Sequence, residues 1–335
     1  MSVPARPVPV WAALAGCLLA LAVVAAASLL LGSGPAGPRE VLASLRGGGA
    51  EYDWIVFGYR LPRTLLGLLV GAALGVAGLF MQALTRNPLA DPGLLGVNAG
   101  AAAAVASAIA FLGVSDPRGY VWFAFAGAAV VAAAGYVIGS QGRVAPTPER
   151  LVLAGAALSA VLVAYTSTIV LGSEETFDDF RFWQVGSLAG RDLDTVRQLL
   201  PFVLAGLAAA ALLARALNAV ALGEETGRAL GVRVGRVKLA AALTVTVLCG
   251  AATAAAGPIG FVGLAVPYVA RMIAGVDLRR LVPLSMLLGA VVVLGSDVVG
   301  RLVAGQGELE TGIVTAVVGA PVFVALVRRR RLVRL

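Results

Sequence analysis

Charged side chains at the margins of apolar runs are costly to place, so they are the first residues to ask for chemistry. Arg60 and Arg63 open one such run, and Asp297 and Arg301 close another. An acid inside a span is a functional suspect, as part of a proton relay or of an ion pair. Asp297 precedes Arg301 by four residues, which puts the two on one helix face and favours the structural pair. For Arg60 and Arg63 the residues alone allow local pairing or snorkelling to headgroups. A second charged group, Glu224, Glu225 and Arg228, lies in L-G-E-E-T-G-R-A-L-G. There Leu222, Leu230 and Val234 recur at helical spacing, and Gly223 and Gly231 punctuate. That pattern predicts two short helices along the membrane face, with a solvated basic connector as the alternative. A third segment, residues 257–271, reads G-P-I-G-F-V-G-L-A-V-P-Y-V-A-R. Pro258 and Pro267 break the helical ladder, and Gly257, Gly260 and Gly263 permit unusual backbone or close packing. Either a kinked packing helix or a discontinuous element at membrane depth satisfies it.

The absences exclude much. The chain has no histidine, which removes Ser-His and Cys-His triads, zinc-protease motifs and imidazole ligation of haem. Lys238 is the single lysine, with no glycine-rich loop before it and no Ser or Thr after it, so the chain carries no phosphate-binding loop. Cys17 and Cys249 stand in different apolar runs without metal-ligand spacing and read as small buried hydrophobes. No cofactor is expected.

These residues must be positioned by helices. Of 335 residues 59% are hydrophobic and 13% charged, and apolar runs of span length recur throughout, which marks an integral membrane protein of all-α class. Spans are predicted near residues 10–31, 61–84, 93–112, 120–140, 150–171, 197–216, 238–256, 258–273, 281–302 and 311–327. The first apolar run is too long for a secretory signal and reads as a retained span. The eighth is too short to cross hydrocarbon unaided and must be sheltered by other helices. In the second, Gly67, Gly71, Gly75 and Gly78 share a face where a neighbouring helix can approach closely.

With both termini on the cytoplasmic side, the inner segments hold 17 of the 26 basic residues and five of the 18 acidic ones. That leaves +12 inside against −4 outside, the bias cytoplasmic loops carry. The basic character is therefore topological, and nucleic acid is not an expected partner.

The R-L-P-R entry to span two, its N-P-L-A-D-P-G-L-L-G exit, the block at 257–271 and the W-Q-V-G-S-L run at 183–188 together resemble the permease subunits of iron-chelate and cobalamin ABC importers. This is the FecCD-type or BtuC-like family, and the likeness covers residues 55–330. It implies a single permease domain over 1–335 with ten spans, the second to fifth and seventh to tenth being inverted copies. It implies two ATPase subunits, an extracytoplasmic binding protein and a second permease subunit, identical or paralogous. The implied cargo is a metal chelate, with ferric siderophore ahead of haem and cobalamin.

Residue by residue, the resemblance assigns Arg60, Arg63 and Arg301 to docking of the binding protein. Residues 216–237 become the cytoplasmic coupling loop, with Gly223, Glu224, Glu225, Arg228, Leu230 and Gly231 meeting the ATPase. Asn87, Pro88 and Leu89 become an inner gate. Gly257, Pro258, Gly260, Gly263, Pro267, Tyr268 and Arg271 form the motif around span eight, and residues 182–190 a short surface helix. Tyr268 stands where the family pattern has histidine, so no imidazole can act there. An ion-coupled secondary transporter would need intramembrane acids or a sodium site, and the near absence of charge within the spans argues against it; a membrane-embedded enzyme would need a catalytic dyad within spans, and none is visible.

Overall fold

The computed structural model describes residues 9–32, 35–48, 51–114, 116–140, 148–303 and 307–328. Its helices are, in order, α1 (Val10–Leu30), α2 (Pro38–Leu45), α3 (Asp53–Ile55), α4 (Leu61–Thr85), α5 (Val97–Leu112), α6 (Pro117–Ser140), α7 (Pro148–Leu171), α8 (Glu174–Gln184), α9 (Leu193–Ala221), α10 (Glu224–Ala229), α11 (Val234–Ala256), α12 (Val262–Ala274), α13 (Leu278–Val303) and α14 (Thr311–Arg328). Each of the ten expected spans has its helix. Among the described residues seven helices are long and apolar enough to cross a membrane. The apolar stretches Val97–Leu112, Val262–Ala274 and Thr311–Pro321 are shorter.

The glycine-rich second span is the axis of the bundle. A Cβ at Gly71 or Gly75 would overlap the carbonyls of Gly289 or Ser285 on α13, and one at Gly78 would overlap the carbonyl of Gly263 on α12. Small residues let α4 touch both neighbours backbone to backbone, the dispersion-driven packing that replaces hydrophobic burial between helices in lipid. α4 is accordingly almost wholly buried, whereas α1 and α7 leave most of their apolar surface outward.

Several boundaries differ from the sequence expectation, each for a local reason. The helix of α4 extends back through a π-turn, Val56–Arg60, where the Leu61 amide reaches the Val56 carbonyl. Pro62 has no amide proton to give the carbonyl of residue 58, which favours the wider turn. Before α5 the chain makes a 3₁₀ turn, Pro92–Leu95, with the Asp91 carboxylate accepting from the Gly93 amide at 2.8 Å. The eighth span begins at Val262 rather than residue 258, because Gly257 (φ 72°) and Phe261 (φ 65°) both take left-handed backbone. Left-handed Phe261 is costly for a residue with a side chain, by about 1–2 kcal/mol. Its amide-accepting carbonyl starts α12 by bonding Ala265 N at 2.8 Å, and its side chain fills the space left by Gly319 of α14. The segment 257–261 is thus an irregular break followed by a helix of 13 residues, about 20 Å long, walled by α4 and α13.

Candidate functional site

At one end of the bundle α1 finishes, α4 begins and α13 finishes, and there the charged margin residues meet. Arg63 donates Nε to both oxygens of Asp297 at 3.0 Å and NH2 to Oδ1 at 2.8 Å. Its NH1 reaches Glu308 Oε2 at 2.6 Å. Arg301 NH2 pairs with Asp297 Oδ2 at 3.0 Å, and Thr311 Oγ1 donates to Asp297 Oδ1 at 2.9 Å. The Asp297 carboxylate has no exposed surface. It can persist there as an anion only because two guanidiniums and a hydroxyl replace its water.

The same arginines hold the end of α1. Arg301 NH1 donates to the carbonyls of Ser28 and Leu31, both at 3.0 Å, and NH2 to Ser28 Oγ at 3.0 Å. Arg60 donates to the carbonyls of Leu29 (3.0 Å), Leu30 (3.2 Å) and Ala36 (2.8 Å). The last carbonyls of a helix lack intrahelical donors and carry partial negative charge, so guanidiniums suit them on both counts. Arg60 and Arg301 are each 4% exposed and Arg63 9%. Neither guanidinium pairs with a sequence neighbour: Arg63 is ion-paired with Asp297 and Glu308 far along the chain, and Arg60 is bonded to backbone carbonyls. The expected Asp297–Arg301 pair is present. The cluster walls a cavity of about 400 Å3, together with Gly32, Trp54, Tyr59, Gly190 and Glu308.

Two of the sequence motifs meet the start of α14 beside this cluster, where Thr311 bonds Asp297. The amide of Ser187 donates to Ala256 O at 2.7 Å, and the amide of Gly312 donates to Gly186 O at 2.8 Å. Gly186 lies against the carbonyl of Pro258, and Gly257 against that of Trp183. The W-Q-V-G-S-L run, the break before α12 and the start of α14 therefore form one interlocked joint. The expected surface helix over 182–190 is corrected: the helix is Glu174–Gln184, capped by Ser173, with Trp183 buried in its last turn, and the residues after it turn inward to bury Leu188. Gly186 (φ 80°) and Gly190 (φ 69°) end helical geometry there.

On α12, Pro267 has no amide proton for the Gly263 carbonyl, and the Gln82 side chain supplies the missing donor, reaching Gly263 O at 3.3 Å and Leu264 O at 3.2 Å. Gln82 Oε1 in turn accepts from Arg271 NH1. Gln82, Tyr268 and Arg271 are buried, and a Cβ at Gly260 would meet nothing. Nothing in the sequence singled out Gln82; the signal was a glutamine inside an apolar, glycine-rich span.

At the opposite end α4 stops at Arg86, in left-handed backbone (φ 50°), with NH2 on Val220 O of α9 at 2.7 Å. Asn87 closes an Asx turn by accepting from Leu89 N at 3.0 Å, which fixes the Asn87-Pro88-Leu89 corner. Nearby, one short helix, α10, follows Gly223 (φ 128°) and precedes Gly231 (φ 79°). The expected second short helix is absent, because α9 continues to Ala221 and α11 starts at Val234. Glu224 is engaged by Lys238 of α11 and by Arg228 at 3.1 Å. The Lys238 hydrogen bond holds its carboxyl below the usual range. Glu225, Leu222 and Leu230 are exposed. Sequence reasoning missed Asn218 and Asp277, which tie α9 to α13. Asn218 Nδ2 donates to Asp277 Oδ1 at 2.7 Å and Leu278 N to Asn218 Oδ1 at 3.0 Å. Arg279, foremost, lowers the Asp277 carboxyl to about 2.

Residues 18–329 match the model of the FecCD transport family. The chain belongs to that family. It is 48% identical over 320 residues, 95% of each chain, to the ferric enterobactin transport system permease protein FepD of Escherichia coli (strain K12). To the cobalamin import system permease protein BtuC of Halobacterium salinarum it is 38% identical, over 88% of this chain and 79% of that one. Among solved structures it is similar to a metal-chelate type ABC transporter in an inward-facing conformation, at 29% identity and a TM-score of 0.83, over 96% of this chain and 100% of that one. The FecCD chain described here is thus a multi-pass permease of the ABC importer type, with the all-helical architecture its motifs implied.

Proposed function

We propose that this permease moves a ferric siderophore across the cytoplasmic membrane by alternating access, as one of two permease subunits, identical or paralogous, forming a single domain each. The observation that carries the cargo reading is the identity to the enterobactin permease over 95% of both chains. A sequence without histidine suits a cargo that travels as a chelate, since free Fe³⁺ or Zn²⁺ would need hard oxygen or imidazole ligands along its path. The cobalamin relative keeps a corrinoid, and with it haem, as the second reading.

ATP hydrolysis then belongs to two separate ATPase subunits, and its energy enters at the α10 end. Exposed Leu222, Glu225 and Leu230 form the contact, while Glu224, tied to Lys238, sets the angle of α10 on α11. This divides the roles more finely than the sequence did, with Arg228 and the glycines shaping the helix rather than gripping a partner. The termini lie on this cytoplasmic side, where residues 216–237 form the coupling loop and the Asn87-Pro88-Leu89 corner serves as inner gate. At the other end an extracytoplasmic binding protein docks over the cavity flanked by Arg60, Arg63 and Arg301. The joint of residues 186–187, 256–258 and 312 links the two ends, because α11 runs from the coupling helix directly into it.

Uptake of radiolabelled ferric siderophores, haem and cobalamin in cells lacking the gene, with and without its return, tests the cargo. Restoration of a ferric siderophore alone is expected, and restoration of cobalamin alone would replace the siderophore reading.

A further inference from the structure

We propose that the cleft between α6 and α11 is a site for an anionic phospholipid, with one acyl chain lying between the two helices and the headgroup phosphate on Arg236. The inference rests on the membrane spans alone, so it stands or falls apart from the cargo, the partners and the direction of insertion proposed above.

The two helices touch at one level and leave a gap beyond it. A Cβ at Gly250 of α11 would lie 3.4 Å from Ala128 Cβ and 3.8 Å from the Phe125 ring of α6. From that contact toward the α10 end a cavity of about 300 Å3 opens, lined by Phe125, Ala133, Tyr136, Leu239, Leu243 and Val247 among others. Ala133 is exposed and Leu243 is 56% exposed, so the cavity opens on the outer surface of the bundle, within the length of two spans. Water would find little there to hydrogen-bond, and hydrocarbon fills such a cleft at lower cost. A helix from another chain, about 10–12 Å across with its side chains, is too wide to enter it. Two lining side chains carry hydroxyls. Thr246 turns its own back onto the Ala242 carbonyl at 3.0 Å, and the Tyr136 hydroxyl has no hydrogen-bond partner among the described residues.

Charge selects the headgroup. Arg236 precedes Leu239 by three residues and Leu243 by seven, which puts it on the cleft-lining face of α11 and about 4.5 Å nearer the start of that helix. Arg233 and Arg236 are exposed and neither makes an ion pair among the described residues, whereas Lys238 is held by Glu224. Neither α6 nor α11 contains an acidic residue. Two uncompensated guanidiniums at the mouth of an apolar cleft match a headgroup of net negative charge above a hydrocarbon tail, while a zwitterionic headgroup brings its own cation against them. Tyr136, one turn from the end of α6, supplies a hydroxyl donor at the same end of the cleft.

The test measures lipid retained by the purified permease–ATPase complex, by native mass spectrometry, after exchange in detergent against phosphatidylglycerol or phosphatidylcholine with the same acyl chains. The wild-type complex is expected to retain phosphatidylglycerol in preference. Arg236→Gln should lower that retention about fivefold and leave phosphatidylcholine unchanged, and Arg215→Gln, an exposed arginine on α9, should change neither. Ala133→Phe fills the cleft and should lower retention of both lipids; Leu243→Trp fills it from the α11 side and is read in its place if the phenylalanine variant does not assemble. Equal retention of the two lipids by the wild type, an Arg236→Gln effect matched by Arg215→Gln, or undiminished retention in the filled-cleft variants overturns the site. So does cross-linking between two permease copies through Ala133→Cys, which would put protein where the lipid is proposed.

Discussion

Asp297 is the residue on which the arginine end depends. Exchange for asparagine preserves shape but leaves Arg63 and Arg301 facing each other without a buried counter-charge, at a cost of about 3–5 kcal/mol. Asp297→Asn should therefore yield little folded transporter by size exclusion in detergent, whereas Thr311→Val should be mild. The pairing with Arg301 was legible in the sequence because four residues make one helical turn. The pairing with Arg63, 234 positions away, was not, since nothing in a single sequence brings α4 beside α13. Asp277 gives a pH prediction. Its folded carboxyl titrates at about 2, below the ordinary value of 3.8, so its contribution is present above that value and is lost as pH falls toward 2. Asp277→Asn should lower the melting temperature at pH 7 and converge with wild type near pH 2. A constant difference across that range would contradict the assignment.

Among the elements, α4 shows how much a sequence can say about packing. Its glycine face announced a close neighbour, and the structure supplies two, at Gly71 and Gly75 against α13 and at Gly78 against α12. Gly78→Leu would force those backbones apart and cost about 1–3 kcal/mol or more. Gly235→Ala, on α11 with open space around it, should be neutral in the same thermal melt. The short elements were less legible. α10 was expected as one of a pair, but helical periodicity cannot fix how far α9 and α11 extend into the connection. The inward turn of residues 185–190 looked like surface because its partners, the carbonyl of Ala256 and the amide of Gly312, lie far along the chain. Just after α10, Leu230→Asp should reduce the amount of ATPase that co-purifies with the permease while the permease itself remains folded in the membrane. Glu224→Ala should keep the ATPase bound but lower transport per ATP hydrolysed, because α10 loses its tie to Lys238. Retained coupling in that variant would remove Glu224 from its positioning role.

The whole molecule places its two charged clusters at opposite ends of one bundle, with the joint of three irregular segments beside the arginine cluster. Apolar spans made the class readable, and the motif order made the family readable. How the motifs touch required the fold. The arrangement predicts that force on α10 reaches the break at residues 257–261 through α11 as a rigid rod, so the two ends respond together. The central claim, that this permease couples ATP hydrolysis on a separate subunit to import of a ferric siderophore, is tested most directly in proteoliposomes containing the permease and its ATPase. The measurement is accumulation of a radiolabelled ferric siderophore, presented on its binding protein, with ATP on the ATPase side. Accumulation that requires hydrolysable ATP and survives ionophores is predicted. Accumulation without ATP that an imposed ion gradient drives and ionophores abolish would contradict it.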